Sequence, residues 1–251
     1  MHVEKLLEPI ALSQFKEQFL GKKPCVLLRK SNPFDELVTL EEVEARLNDS
    51  CATQTNLGVI DGSGKKLPRS ELYAEASGQW VASSLRKRYV LKLLGEGRSI
   101  VLHNMSQINR SVAALCASIE QELDGFHADL HIYVSPRAKA TSFDVHRDRP
   151  QHKLYLQLIG TSRWTLYAGQ HQAMAMSPER AQRELTIVFQ GLLTPGSVLY
   201  MPPDTFHHVD NPAGPRLSLS IPFHQDPRAL AVDRTHIPLR DFFEDEPAES
   251  S

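Results

Sequence analysis

His146-Arg147-Asp148 and a later histidine, His207, limit what this chain can fold into more than any other feature. Two imidazoles and a carboxylate from separate segments work together only if the fold brings them to one point. Such a set on one face of a metal ion is the arrangement that holds non-haem Fe(II) with three positions open, and it points to oxygen chemistry. Among 11 histidines and 30 acidic residues the tripeptide alone carries little weight; its setting carries more. Lys153 to Ile159 is an apolar, aromatic-bearing run closed by Gly160, and Trp164 to Tyr167 follows, so the pattern predicts a loop entering a β-hairpin. Ahead of His207, Leu193-Thr194-Pro195-Gly196 is a turn signal, Ser197 to Met201 a short apolar strand, and Pro202-Pro203 a stop to strand pairing. Both halves of the candidate site therefore fall at strand ends, where a barrel mouth can join them.

His208 competes with its neighbour His207, but strand alternation turns only one of them inward, and the spacing after Pro202-Pro203 favours His207. His152 is a further candidate close to the tripeptide. The same ligand types also suit Zn or Mn in an isomerase or hydrolase, so that reading stays open at this level.

Formal charge is −2 and the isoelectric point about 6.6, which leaves no strong field for nucleic acid or membrane. Two short basic patches exist. Arg86-Lys87-Arg88 reads as the solvated face of a helix, and Arg147 to Arg149 flanks the proposed mouth, where it could meet an anionic substrate. Cys25, Cys51 and Cys116 are odd in number and lack a C-x-x-C pattern, so no disulfide scaffold or zinc knuckle is expected and a cytoplasmic location follows. No signal-peptide core or membrane-length apolar run is visible.

Helix signals dominate the first half and strand signals the second. Thr39-Leu40-Glu41-Glu42 is a capping box opening a helix to about Leu47, and Ile108, Val112, Leu115, Cys116, Ile119 and Leu123 keep helical spacing. Asp61-Gly62 reads as a turn. The length and 41% hydrophobic content suit one domain.

The order H-x-D, then Leu156-Gln157-Leu158 with Gly160 and Arg163-Trp164, then Leu193 to His207 with its P-G and P-P pairs, resembles the JmjC and cupin-type Fe(II) and 2-oxoglutarate-dependent oxygenases. Phe15 to Pro24 and the strand Cys25 to Arg29 are similar to the entry of that family, so the resemblance covers about residues 12 to 223. It implies a mainly β double-stranded β-helix, a jelly-roll barrel of cupin type packed with helices, in one domain over 1–240. The helical part would run to about 125 and the barrel core from about 126 to 224, with 241–251 a mobile acidic tail. It also implies that His146, Asp148 and His207 bind iron.

In such enzymes 2-oxoglutarate chelates the iron and a basic residue with a hydroxyl holds its far carboxylate. The basic residue often stands two positions after the hairpin glycine, which here is Ser162. Arg216 with Ser218 resembles the R-x-S clamp of another branch and is favoured, because a guanidinium meets a carboxylate as a planar fork; Lys153 with Tyr155 is the second choice. Arg163 should point the other way, and Trp164 reads as core. The implied reaction uses Fe(II), 2-oxoglutarate and O2, releases succinate and CO2, and hydroxylates an unactivated C–H with no catalytic side chain beyond the metal ligands. A protein or peptide side chain is the first substrate class and a small molecule the second. A non-catalytic cupin is the remaining alternative, and the oligomeric state is unknown.

Overall fold

The structure, a computed structural model, describes residues 1–49, 56–74, 84–123 and 125–225. Cys51 and the acidic tail 241–251 lie outside them. The chain opens with α1 (Val3–Leu7), α2 (Leu12–Gln18), β1 (Cys25–Leu27), α3 (Leu40–Asn48), β2 (Leu57–Val59), α4 (Arg69–Leu72), β3 (Tyr73–Ala74) and β4 (Ser84–Leu85). Then come α5 (Lys87–Gly95), β5 (Ile100–Leu102), α6 (Arg110–Glu122), β6 (His127–Ala128), β7 (His131–Ser135), β8 (Val145–His146), β9 (His152–Ile159) and β10 (Ser162–Ala168). The last described elements are β11 (Ala175–Met176), α7 (Pro178–Glu184), β12 (Thr186–Leu193), β13 (Val198–Met201), β14 (Phe206–Asp210) and β15 (Arg216–His224).

Two antiparallel sheets carry the fold. The larger has the order β1-β13-β9-β15-β7-β5-β2 with β6 added to β15; the smaller has the order β11-β8-β14-β10-β12. No ladder joins them among the described residues, so the barrel expectation holds in its coarser form, a mainly β fold of two packed sheets with helices. The helices α1 to α6 all precede residue 125, but β1, β2 and β5 from the same stretch extend the large sheet. The expected helical half is therefore mixed.

Sequence explains the layering. In β9 the residues from Lys153 to Leu158 are all buried, because each face of the strand has its own cover. Leu154, Leu156 and Leu158 join Leu6, Phe15, Val112, Leu115 and Ile119 in the core beneath the helices, whereas Tyr155 joins Trp164, Leu166 and Leu199 between the sheets. The strand β15 divides likewise, with Leu217, Leu219, Ile221 and Phe223 packed toward the helices. Burial of such side chains is worth about 1.5–3 kcal/mol each. The helix starts follow capping chemistry. Thr39 Oγ1 accepts from Glu42 N while Glu42 Oε2 accepts from Thr39 N, and Asn109 Oδ1 accepts from Val112 N. Cys25 and Cys116 are buried thiols outside any disulfide. None of the described helices is long and apolar enough to cross a membrane.

The expected hairpin after the tripeptide does not form. The strands β9 and β10 lie in different sheets, and Gly160 between them turns with φ +70° against the Pro215 carbonyl, 2.1 Å from where a Cβ would sit. Only glycine fits that crossing.

His152 does not approach the candidate ligands. Its Nδ1 meets Tyr200 Oη at 2.9 Å, and its ring packs with Phe126 and Phe223. Burial pushes its pKa down from 6.5 to about 4, so the folded state resists a proton that the unfolded chain accepts. Its contribution to stability is full above pH 6.5 and is lost as pH falls toward 4. Urea denaturation across that window should give a shallower acid decline for His152→Gln than for the parent protein; parallel profiles would place the titrating group elsewhere.

Candidate metal centre

His146 and His207 are direct cross-strand partners in the β8–β14 pair. Each ring is turned by the same local device, a hydrogen bond from Nδ1 to a backbone carbonyl two residues earlier: His146 to Asp144 O at 2.7 Å and His207 to Thr205 O at 2.9 Å. A carbonyl only accepts, so Nδ1 carries the proton and Nε2 keeps a bare lone pair. The ring centroids are 4.3 Å apart, and Asp148 Oδ2 lies 3.7 Å from His207 Nε2. One ligand atom from each of the three residues falls within 4.8 Å of the others.

Their charge states suit a cation. Burial pushes both imidazoles down, His207 strongly, and keeps them neutral. Burial alone would raise Asp148, but the Lys153 ammonium beside it outweighs that and holds the carboxyl below its ordinary range. Lys153 Nζ is 2.6 Å from Asp148 Oδ2, a close ion pair that holds this carboxylate beside the two imidazoles.

Beside the triad lies a cavity whose walls include Tyr133, Lys153, Tyr155, Trp164 and Arg216. Arg216 is only 5% exposed. Its Nε donates to Ser135 Oγ at 3.0 Å, and its Nη1 is buried with no hydrogen-bond partner. Lys153 and Tyr155 line the same cavity, as their shared face requires. Ser218 does not. Its hydroxyl donates to Gln157 Oε1 at 3.3 Å, and Ser220 on the same strand lines the cavity instead.

Ser162, where the family's basic residue often stands, is fully buried and structural. Its Oγ donates to Gln157 Oε1 at 2.7 Å and accepts from Trp164 Nε1 at 3.0 Å. Trp164, expected mainly as core, is both core and cavity wall, stacked on His207 at 5.7 Å and edge-on to Tyr155 at 4.5 Å. Its alternation with Ser162 on the inner face of β10 was the available signal, and nothing in the local sequence marked Tyr133. His208 turns away toward Asp210, and Arg163 is exposed. Arg147 and Arg149 both pair with Asp204, and Arg147 also covers the Phe206 ring.

The Gln157, Ser162 and Trp164 network makes a stability prediction. Ser162→Ala leaves the buried indole N–H without its acceptor, which costs about 1–3 kcal/mol. A denaturant titration showing no loss would mean that water replaces the hydroxyl.

A model of the JmjC domain matches residues 101–229 of the 251-residue chain. Among curated proteins, the bifunctional lysine-specific demethylase and histidyl-hydroxylase NO66 of Drosophila mojavensis is 28% identical over 230 residues, covering 88% of this chain and 24% of that protein. Ribosomal oxygenase 2 of Rattus norvegicus is 25% identical over 220 residues, covering 84% of this chain and 44% of its own length. The chain thus spans less than half of either relative. The solved structure of the Escherichia coli ribosomal oxygenase YcfD in complex with cobalt and 2-oxoglutarate is similar in fold, with a TM-score of 0.61 at 19% identity over 88% of this chain and 53% of that one. The domain match takes in half the sequence and contains both paired histidines, Asp148 and the crossing at Gly160, and by it the chain belongs to the JmjC-domain family.

Proposed function

We propose that this chain is an Fe(II)- and 2-oxoglutarate-dependent oxygenase that hydroxylates an unactivated C–H on a protein or peptide side chain. The observation that carries the reading is the convergence of two pinned, proton-free imidazole nitrogens on the Asp148 carboxylate. That donor set fits Fe(II), with His146, Asp148 and His207 as its ligands. Bound there, the metal with 2-oxoglutarate and O2 would supply the oxidising chemistry and release succinate and CO2. The protein side chains supply placement. Asp144 O and Thr205 O fix the imidazole tautomers, and Trp164 buttresses the His207 ring.

Arg216 would hold the far carboxylate of 2-oxoglutarate, since it is a buried cation with an N–H to spare. Lys153 and Tyr155 come second because Lys153 already faces Asp148. Ser218, the hydroxyl first paired with Arg216, would need to leave Gln157 to take part. The protein or peptide substrate rests on the relatives, named as a histidyl-hydroxylase and lysine demethylase and as ribosomal oxygenases. We further propose that the two sheets are the halves of a double-stranded β-helix, that 1–240 is one domain, and that the protein works in the cytoplasm, where thiols stay out of disulfides.

Anaerobic Fe(II) titration tests the ligands. His146→Ala, Asp148→Ala and His207→Ala should each abolish tight binding and succinate release, while His208→Ala leaves affinity unchanged. Equal losses at His207 and His208 would undo the assignment. Arg216→Met tests the cosubstrate: the apparent KM for 2-oxoglutarate should rise by about 30-fold or more, since truncating one member of a buried charge pair costs roughly 2 to 5 kcal/mol. Iron affinity should hold. A larger effect from Lys153→Met would invert the ranking, and no effect from either would remove 2-oxoglutarate from the proposal.

A further inference from the structure

The segments that carry the three candidate ligands are joined by little strand pairing. The ladder between β8 and β14 registers at a single pair, His146 opposite His207, and one pair fixes a separation without fixing the angle between two segments. Asp148 lies beyond that pair, so its place needs a further tie. Asp204, in the turn Pro202-Pro203-Asp204-Thr205 before His207, supplies it. Its backbone N–H donates to Asp148 O at 3.0 Å. Its Oδ1 faces Arg147 Nη1 at 3.7 Å and also meets Arg149 Nε. Arg147 stands between two of the ligands, and its side chain is only 7% exposed. Its Nη2 donates to His171 O at 2.6 Å and to Gln172 O at 3.3 Å. Among the described residues Asp204 is the one carboxylate within ion-pair distance of that guanidinium. The Asp204 backbone is left-handed, with φ +66°. That conformation costs other side chains more than it costs Asn or Asp, and glycine nothing. The backbone thus asks for Gly, Asn or Asp and the two guanidinium groups ask for an acid, and aspartate alone meets both demands.

We propose that Asp204 is a positioning residue of the metal centre, tying the segment of His146 and Asp148 to the turn before His207 so that the three donors stand together before a metal arrives. The inference rests on the reading of those three residues as ligands. Asp204 touches none of the reacting groups, and its effect runs through the Asp148 backbone and the Arg147 side chain. Its two ionic arms differ in weight. Arg149 is 53% exposed, and water screens that arm. The Arg147 arm matters more, because this buried guanidinium would otherwise keep only neutral carbonyl acceptors.

Asp204→Asn tests this on the full chain, since asparagine tolerates the same backbone conformation, keeps the N–H and removes only the charge. In an anaerobic Fe(II) titration its affinity should fall by about 10-fold or more, the usual effect of losing a group that holds a metal ligand in place. Thr39→Ala, which removes a remote helix cap, controls for general loosening: it should lower the melting temperature and leave iron affinity unchanged. In the metal-free protein, exchange of the Asp204 to His207 amides should quicken in Asp204→Asn by more than in Thr39→Ala. Parent-like iron affinity in Asp204→Asn overturns the proposal, and so does an equal loss of affinity in Thr39→Ala. A parent protein that binds no Fe(II) sinks the ligand reading instead. Amide exchange then decides the tie by itself, and parent-like rates in Asp204→Asn overturn it.

Discussion

Opposed residues on antiparallel strands hold their Cβ atoms about 5 Å apart through backbone hydrogen bonds that their side chains do not make. His146 and His207 stand in that relation. Their separation is therefore set by the β8–β14 ladder and survives changes in ring environment, and the rings need only be rotated. Each is rotated by its own chain, through the carbonyl two residues before it. Asp148 lies two residues past His146, just beyond the end of β8, and its carboxylate reaches the same point. A site assembled this way depends on β8, two residues long, being held between β11 and β14. The small core of Val145, Tyr167, Met176, Ala181, Leu185 and Phe206 beneath α7 anchors that strand.

The space between the sheets is unusually polar for a buried layer. Lys153, Gln157, Ser162, Arg216, Ser218 and Ser220 are all buried there or beside it. A buried polar group without a partner is costly, and most of these have one. Gln157 Oε1 takes two hydroxyls, Ser162 also takes the Trp164 indole, and Ser135 takes Arg216 Nε. One atom is left over among this set, Arg216 Nη1, and Arg216 lines the candidate cavity. Where the layer is fully satisfied it is scaffold. Where it is not, it faces the cavity.

Much of this was legible in the sequence, and the limits have physical causes. The H-x-D tripeptide and His207 could be joined because ligand chemistry restricts residue type, and Pro202-Pro203 marked where a strand must stop. The capping box at Thr39 was readable because it is a local exchange of hydrogen bonds. What local pattern does not carry is which sheet a strand joins. Lys153 to Ile159 and Ser162 to Ala168 both read as strands, and Gly160 as a turn between them, but a hairpin turn and a crossing use the same residue types. Only the close approach of Pro215, far off in sequence, decides between them. The basic patch at Arg147 to Arg149 was read without Asp204 because that residue is distant along the chain, and Trp164 was read mainly as core because burial and site-lining are not exclusive.

Charge balance ties the metal and cosubstrate proposals together. The cavity and its floor hold two cations, Lys153 and Arg216, against one ionised carboxylate, Asp148. In a low-dielectric space such a surplus is unfavourable for a further cation and favourable for an anion. A divalent metal arriving alone adds to the surplus and must also displace Lys153 from Asp148, whereas a dicarboxylate arriving with the metal cancels the added charge and offers Arg216 Nη1 the acceptor it lacks. On charge, the arrangement therefore disfavours a divalent metal arriving without an anion. In the proposed paired state Lys153, drawn off Asp148, would be available to the cosubstrate or to the substrate entering beside it.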